Sequence, residues 1–242
     1  MDAFQQALKL ARPSDARVVG VHEEKGFRWL RLKQLRYVDA EGRERLWETA
    51  ERTTRKGAID GVGIIARLRS SRHEDRLVLC AQFRPPLNAT CIEVPAGLVD
   101  AGESAGAAAL RELKEETGYV GELAGETAIS YADPGVCNAN SCFVYVEVDG
   151  DAPRNLRPEP ELEESEAITT FSLPFDGLAS QLERLIKAEP RLAVDARLYS
   201  FAVGLEYEQR RHRALLRSTR LAALCGFGLA ACLSLLIRNR KP

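Results

Sequence analysis

Three glutamates crowd one short stretch of this chain. In Arg111-Glu112-Leu113-Lys114-Glu115-Glu116-Thr117-Gly118-Tyr119, Glu112 and Glu116 stand four apart, with Glu115 beside them. The residues before and among them, AGAAALRELKEE, are strong helix formers. Ser104 suits an N-cap and Gly118 suits the position after the last turn, so a helix is predicted here. Four-residue spacing puts Glu112 and Glu116 on one helical face. Like charges at that spacing destabilise a bare helix, so their clustering makes sense around a divalent cation. Oxygen-only ligands favour Mg2+, with Mn2+ as a substitute, over zinc. Such a cation can bridge a pyrophosphate, offset charge in the transition state and activate water. The bland alternative is a solvated acidic helix.

The flanks sharpen the pattern. Gly97-Leu-Val-Asp-Ala-Gly-Glu103 and seven more residues precede Arg111, giving G-x5-E-x7-R-E-U-x-E-E-x-G-U, where U is a bulky apolar residue. This resembles the Nudix box at every fixed position; only Tyr119, at the last U, is slightly atypical. The resemblance implies metal ligation by Glu112 and Glu116, with Glu115 nearby and the Ala96 carbonyl as a backbone ligand. It implies that Arg111 pairs with Glu103 to hold the loop–helix unit, and that Gly97 and Gly118 permit its turns. Glu166 falls on a loop expected to close over the metals, join their ligands and assist the attacking water. It lies in a glutamate run, so Glu163 or Glu164 could take that role, or the run could be a solvated loop.

Five further stretches resemble the ADP-sugar pyrophosphatases, the ADP-ribose hydrolases, over roughly residues 17–208. They are Trp47-Glu48 with Arg52-Thr-Thr-Arg-Lys56; Gln82-Phe-Arg-Pro-Pro86; Glu93-Val-Pro-Ala-Gly-Leu98; Asp133-Pro134-Gly135; and Val194-Asp-Ala-Arg-Leu-Tyr199. By that resemblance Trp29 and Trp47 stack the adenine of ADP-ribose, Glu48 bonds its edge, and Arg52 and Arg84 contact the phosphates. Leu98 and Asp133 shape the site around the terminal ribose, and the products are AMP and ribose 5-phosphate. Flat aromatics suit a purine and Arg suits a diphosphate. Each Trp could instead be a packing residue, Arg52 and Arg84 surface ion-pair partners, and Asp133 a turn former. Other nucleoside-diphosphate substrates, such as 8-oxo-dGDP or another NDP-sugar, are the enzymatic alternative. A membrane-tethered ADP-ribose sensor is the non-enzymatic one.

Around these residues the chain alternates strand-like and helical segments. Strands are predicted at 28–38 and 43–52 around an Asp39-Ala40-Glu41-Gly42 turn, then at 61–68, 76–83, 128–131, 142–148 and 168–173. Amphipathic helices are predicted near 176–188 and 195–210. The class is α/β (α+β): a Nudix-like mixed β-sheet sandwiched by helices, preceded by an N-terminal antiparallel strand subdomain. The expected units are a mobile lead-in (1–13), the β subdomain for dimerisation and adenine binding (14–56), the hydrolase domain (57–208), a basic linker (209–220), a membrane anchor (221–237) and a basic tail (238–242). With the hairpin centred between Ala40 and Glu41, Trp47 lies opposite about Gln34. Trp29 is then five residues further, roughly 16 Å away at strand rise. Two rings sandwiching one base lie about 7 Å apart. One chain cannot easily supply both, so a homodimer exchanging hairpins is expected.

Composition is that of an ordinary globular protein, 45% hydrophobic and 29% charged. The six cysteines form no CxxC pair, which suits reduced thiols in a cytosol-facing protein. The first residues hold no apolar core of a signal peptide. From Gln209 onward there are eight Arg/Lys and no Asp/Glu, so residues 1–208 carry −9 against a chain total of −1. That basic segment is too local for nucleic-acid binding. Within it, residues 221–237 (LAALCGFGLAACLSLLI) are uncharged and flanked by arginines, and as a helix span about 25 Å. A tail anchor is expected, with the enzyme facing the cytosol from a mitochondrial outer or peroxisome-like membrane. The alternatives are a buried or dimer-packing helix and a cytoplasmic enzyme.

Overall fold

Apolar residues on both faces of the central strands build a sheet that must be covered twice. The computed structural model describes residues 3–10 and 26–215. In chain order the elements are α1 (Ala3–Leu10), β1 (Leu30–Val38), β2 (Glu44–Arg52), β3 (Gly61–Ser70), β4 (His73–Arg84), β5 (Ala89–Glu93), β6 (Ala96–Leu98), α2 (Ala105–Thr117), β7 (Glu122–Glu126), β8 (Ser130–Tyr131), β9 (Asn140–Asp149), β10 (Ile168–Pro174), α3 (Leu178–Ala188) and β11 (Leu192–Val194). Helical residues 196–215 form α4.

The main sheet runs β11-β5-β4-β3-β9-β7, with β10 on β4, β6 on β3 and β8 on β9. It is mixed: β3–β9 and β11–β5 are parallel, the other pairs antiparallel. Val62, Ile64 and Ala66 of β3, Val78 of β4 and Val144 and Val146 of β9 pack under α2 with Ala108, Ala109 and Leu113. The opposite face, with Leu77, Leu79, Ala81 and Ile92, packs on Leu178, Leu182 and Leu185 of α3 and Leu198 and Ala202 of α4. The sandwich predicted from sequence is the fold observed.

The lead-in is not a bare mobile arm. Residues 3–10 form α1, and Ala7 is buried in the second core with Phe4, Leu8 and Leu10 packed against it. Its apolar residues recur at helical spacing, so the helix has a face to bury. Strands β5, β6, β7 and β11 were not predicted; they are short, and pairing with longer neighbours stabilises them.

The hairpin forms where expected, with its register moved by one. Trp47 pairs with Leu35 and Glu48 with Gln34. Asp39 N–H bonds the Arg43 carbonyl and Gly42 N–H bonds the Asp39 carbonyl, leaving a three-residue loop. Gly42, at φ +79°, takes the left-handed position that such a loop needs. Thr53 N–H bonds the Trp29 carbonyl, so Trp29 lies six residues along from Trp47, roughly 20 Å at strand rise. The two-tryptophan separation is therefore larger than the sequence estimate.

Residues 221–237 lie outside the described residues, as do Cys225 and Cys232. Among the described residues no helix is long and apolar enough to cross a membrane, and Cys80, Cys91, Cys137 and Cys142 are free thiols.

Candidate active site

Helix α2 begins at Ser104, whose hydroxyl accepts from Ala107 N–H, and closes at Gly118, whose N–H bonds the Lys114 carbonyl. These caps fix where the three glutamates stand relative to the sheet. Arg111 is their hub. Its Nε and Nη2 donate to both oxygens of Glu103 at 3.0 Å each, Nη2 also reaches the Leu98 carbonyl, and Nη1 donates to Glu112 at 2.8 Å and Glu115 at 2.9 Å. The Glu103 carboxylate also accepts from Asp100 N–H. One guanidinium thus ties the loop, β6 and the acidic helix face together.

Glu116 is 6% exposed. Its carboxylate accepts from Ala96 N–H at 2.9 Å and touches the Cys80 thiol. Burial pushes it up to about 8; the Ala96 N–H and Arg84 pull it down, and the charges of Glu112 and Glu166 push it up. Burial likewise raises Glu112, against the pull of Arg111 and with repulsion from Glu115 and Glu166. Glu166 therefore stands in electrostatic reach of both helix carboxylates. Its own loop is closed locally by Glu163 N–H on the Glu166 carboxylate and Glu166 N–H on the Glu163 carbonyl.

Among the described residues no group of three or more His, Cys, Asp or Glu side chains is placed so as to hold a metal ion. The donor set still fits a hard cation of the Mg2+ type. Such an ion takes one or two carboxylates and completes its shell with water and substrate oxygens. Mutual repulsion between the buried Glu116 and the partly buried Glu112 is what a cation at this place would relieve. Gly97 leaves the space: a Cβ there would meet the Glu112 carboxylate.

The substrate-side residues divide. Trp47 is held by its indole N–H on the Gly135 carbonyl, 3.0 Å, and edge-on to Tyr37. Thr49 and Ala50 bond the Val136 carbonyl, so β2 is stitched to the Asp133–Cys137 turn. The Asp133 carbonyl accepts from Val136 and Cys137 N–H, so Asp133 does form a turn. Trp29 is half exposed with Arg28 over its ring at 4.3 Å. Strand alternation puts Glu48 on the hairpin face opposite Trp47. Within one chain, therefore, their side chains do not converge. Arg52 Nε makes a long contact to Thr54 Oγ1, 3.4 Å, and its charge acts on Asp60. Leu98 is partly exposed beside the box. Arg84 is engaged in a two-pronged pair with Glu93, at 2.6 and 2.9 Å, instead of standing free.

Two supports were missed. Asp60, 4% exposed, takes both prongs of Arg55 and accepts Asn140 N–H, while the Asn140 amide accepts Asp60 N–H and donates to the Ala58 carbonyl. Burial opposes its charge, but Arg55 and Asn140 hold its pKa below the ordinary value. This knot joins the hairpin's exit to β3 and β9. Glu93, 7% exposed, is the other. A lone acid ending the apolar strand ATCIE was the available signal, because acids are rarely buried unless paired. Two cavities, about 570 and 630 Å3, lie on other faces and include neither Glu112 nor Glu116.

Comparison with known proteins bears on the family and the fold. A family model described as the NUDIX domain matches residues 59–189. The chain is 40% identical over 206 residues to the ADP-ribose pyrophosphatase of Saccharomyces cerevisiae, covering 83% of this chain and 88% of that protein. It is 41% identical over 181 residues to the ADP-sugar pyrophosphatase of Mus musculus, covering 74% and 83%. A crystal structure of an ADP compounds hydrolase superposes with a TM-score of 0.53 at 19% identity, covering 84% of this chain and 96% of that one; this is a likeness of fold.

Proposed function

The chain belongs to the NUDIX domain family and is an enzyme, and on that premise we propose that it hydrolyses the pyrophosphate bond of ADP-ribose and related ADP-sugars, with Mg2+, to AMP and ribose 5-phosphate. The observation that carries this reading is the charge-coupled pair of the partly buried Glu112 and the buried Glu116, four apart on α2 and held by Arg111 and Ala96 N–H, with Glu166 in electrostatic reach of both and Arg84 in reach of Glu116.

Glu112, Glu116, Glu166 and the Ala96 carbonyl would hold the cation. When bound, it offsets diphosphate charge and makes a water acidic enough to attack. The chain's own residues do the rest. Arg84 and Arg52 bind the diphosphate oxygens. Glu166, on the 151–166 loop, takes the proton from the attacking water. Arg111 orients Glu112 and Glu115. Trp29 and Trp47 stack the adenine, Glu48 bonds its edge, and Leu98 and Asp133 border the terminal ribose. Residues 14–56 supply this adenine platform and residues 57–208 the chemistry.

A homodimer supports that arrangement. Leu30, Leu32 and Leu46 share one hairpin face with Glu48 and are 45%, 77% and 59% exposed. Covering that face with a second copy would bring Glu48 towards the partner's site; the roughly 20 Å between Trp29 and Trp47 within one chain is the separate reason for pairing each with its counterpart from a second copy. Residues 221–237 support a tail anchor by sequence alone, uncharged between arginines; full release from membranes by carbonate would remove it.

Incubation with ADP-ribose, ADP-glucose or 8-oxo-dGDP and Mg2+, followed by chromatography, tests the reaction. AMP from ADP-ribose is expected. Its absence at micromolar enzyme, or preference for 8-oxo-dGDP, overturns the substrate. Tight binding without turnover would make the chain a sensor.

A further inference from the structure

Glu93 has no role in the reaction as described, yet it is among the few buried acids of the described residues. On β5 it pairs in register with Cys80 of β4, and alternation along β4 puts Cys80, Gln82 and Arg84 on the same face. That face meets α2, because Cys80 touches Glu116. The two Glu93 oxygens accept Nε and Nη2 of Arg84. A side-on pair of this kind occupies one edge of the planar guanidinium and leaves Nη1 free to donate elsewhere. The Arg84 side chain is 44% exposed while that of Glu93 is 9% exposed. The buried partner is thus the fixed member, and the cation presents its free edge outward.

Glu93 is itself held in a dry place. Burial keeps the neighbouring thiols protonated, with Cys91 pushed up to about 12 by burial and then by the charges of Glu93 and Asp195. Arg197, clamped by Asp195 at 2.8 and 3.0 Å, has its charged form favoured by Asp195 and by the nearby Glu93. Asp195 N–H in turn bonds the carbonyl of Ile92, the residue before Glu93. Removing water from such pairs strengthens and stiffens them.

We propose that Glu93 is a positioning residue: its buried carboxylate fixes the guanidinium of Arg84 so that the free N–H groups meet the substrate's diphosphate. Arg197, held by Asp195, adds a second positive charge near the carboxylate, and Asp195 N–H fixes the backbone at Ile92. This rests on the reading of Arg84 as a diphosphate contact. A loose arginine would lose side-chain freedom on each binding event; one already held loses less.

Calorimetric binding of ADP and of adenosine to the full chain tests it, because only ADP carries the diphosphate. Glu93→Gln keeps the shape and weakens the clamp, and is expected to weaken ADP about tenfold with adenosine unchanged. In an Arg84→Ala background the same change is expected to do nothing more. Equal loss for both ligands, or an additive loss in the double variant, overturns the proposal. If Glu93→Gln fails to fold, Arg84→Lys keeps the charge but cannot fork; it should show the same ADP-selective loss, and equal losses would again overturn it. Turnover of ADP-ribose by the unaltered chain is read separately. Selective ADP weakening without that turnover would reject the assigned reaction and leave the clamp standing.

Discussion

Gly97 lies so close to Glu112 that a Cβ built on it would sit 1.8 Å from the Glu112 carboxyl carbon and 2.0 Å from Oε1. The glycine is therefore a matter of close approach, not of a turn: it is in β6, and no positive φ is recorded for it. Gly97→Ala forces either β6 or the Glu112 side chain to move. The expected costs are about 2–3 kcal/mol in urea unfolding and most of the turnover. An alanine variant with native stability and rate would mean that Glu112 has another equally good position.

Glu112→Gln removes a charge and keeps the shape, including an acceptor for Arg111. Turnover should fall on the order of 10^3-fold, by the usual scale of lost electrostatic stabilisation. Nucleotide binding should remain measurable by calorimetry. Full activity in this variant would refute its assignment as a metal ligand.

Glu116 sets a pH dependence. Its pKa in the folded chain is about 8 against a usual 4.5, mainly through burial. Between those values the native state holds more protons than the unfolded one, so stability falls as pH rises. Metal-free protein in EDTA should lose urea resistance from pH 5 to pH 8. Mg2+ should restore it at pH 8, and Glu116→Gln should flatten the slope. A metal-free chain equally stable at both pH values, matching its Gln variant, would show that this burial does not perturb the acid.

The two roles proposed for the hairpin, adenine stacking and dimer contact, are separable by substitution. Trp47→Phe keeps an aromatic ring, though a smaller one, and loses the bond to the Gly135 carbonyl; a KM rise of about fivefold is expected, chiefly from that hydrogen bond. Leu32→Asp puts a charge on the opposite face and should yield a monomer by light scattering, with KM rising much further. A dimer that survives Leu32→Asp would place the interface elsewhere.

Much of this site was legible before any fold was known. The spacing from Gly97 to Tyr119 implied a capped helix with acids on one face, and Ser104 and Gly118 do cap it. The Arg111–Glu103 pair was legible too, because it lies within one loop–helix unit. What failed was non-local. The Arg84–Glu93 clamp depends on how β4 and β5 register. The Asp60 knot depends on β9 arriving eighty residues later. The α1 helix is not legible locally, because only a core elsewhere in the chain gives its short apolar face something to cover.

By itself, then, the sequence determined the local chemistry: which acids share a face, where the helix starts and stops, and that the strands need two covered faces. These follow from periodicity and caps, whose causes act within a few residues. The tertiary structure alone decided that Glu116 is buried enough to resist ionisation and that Arg84 is held and not free. Burial, register and charge coupling are properties of residues distant in the chain, and only packing brings them together.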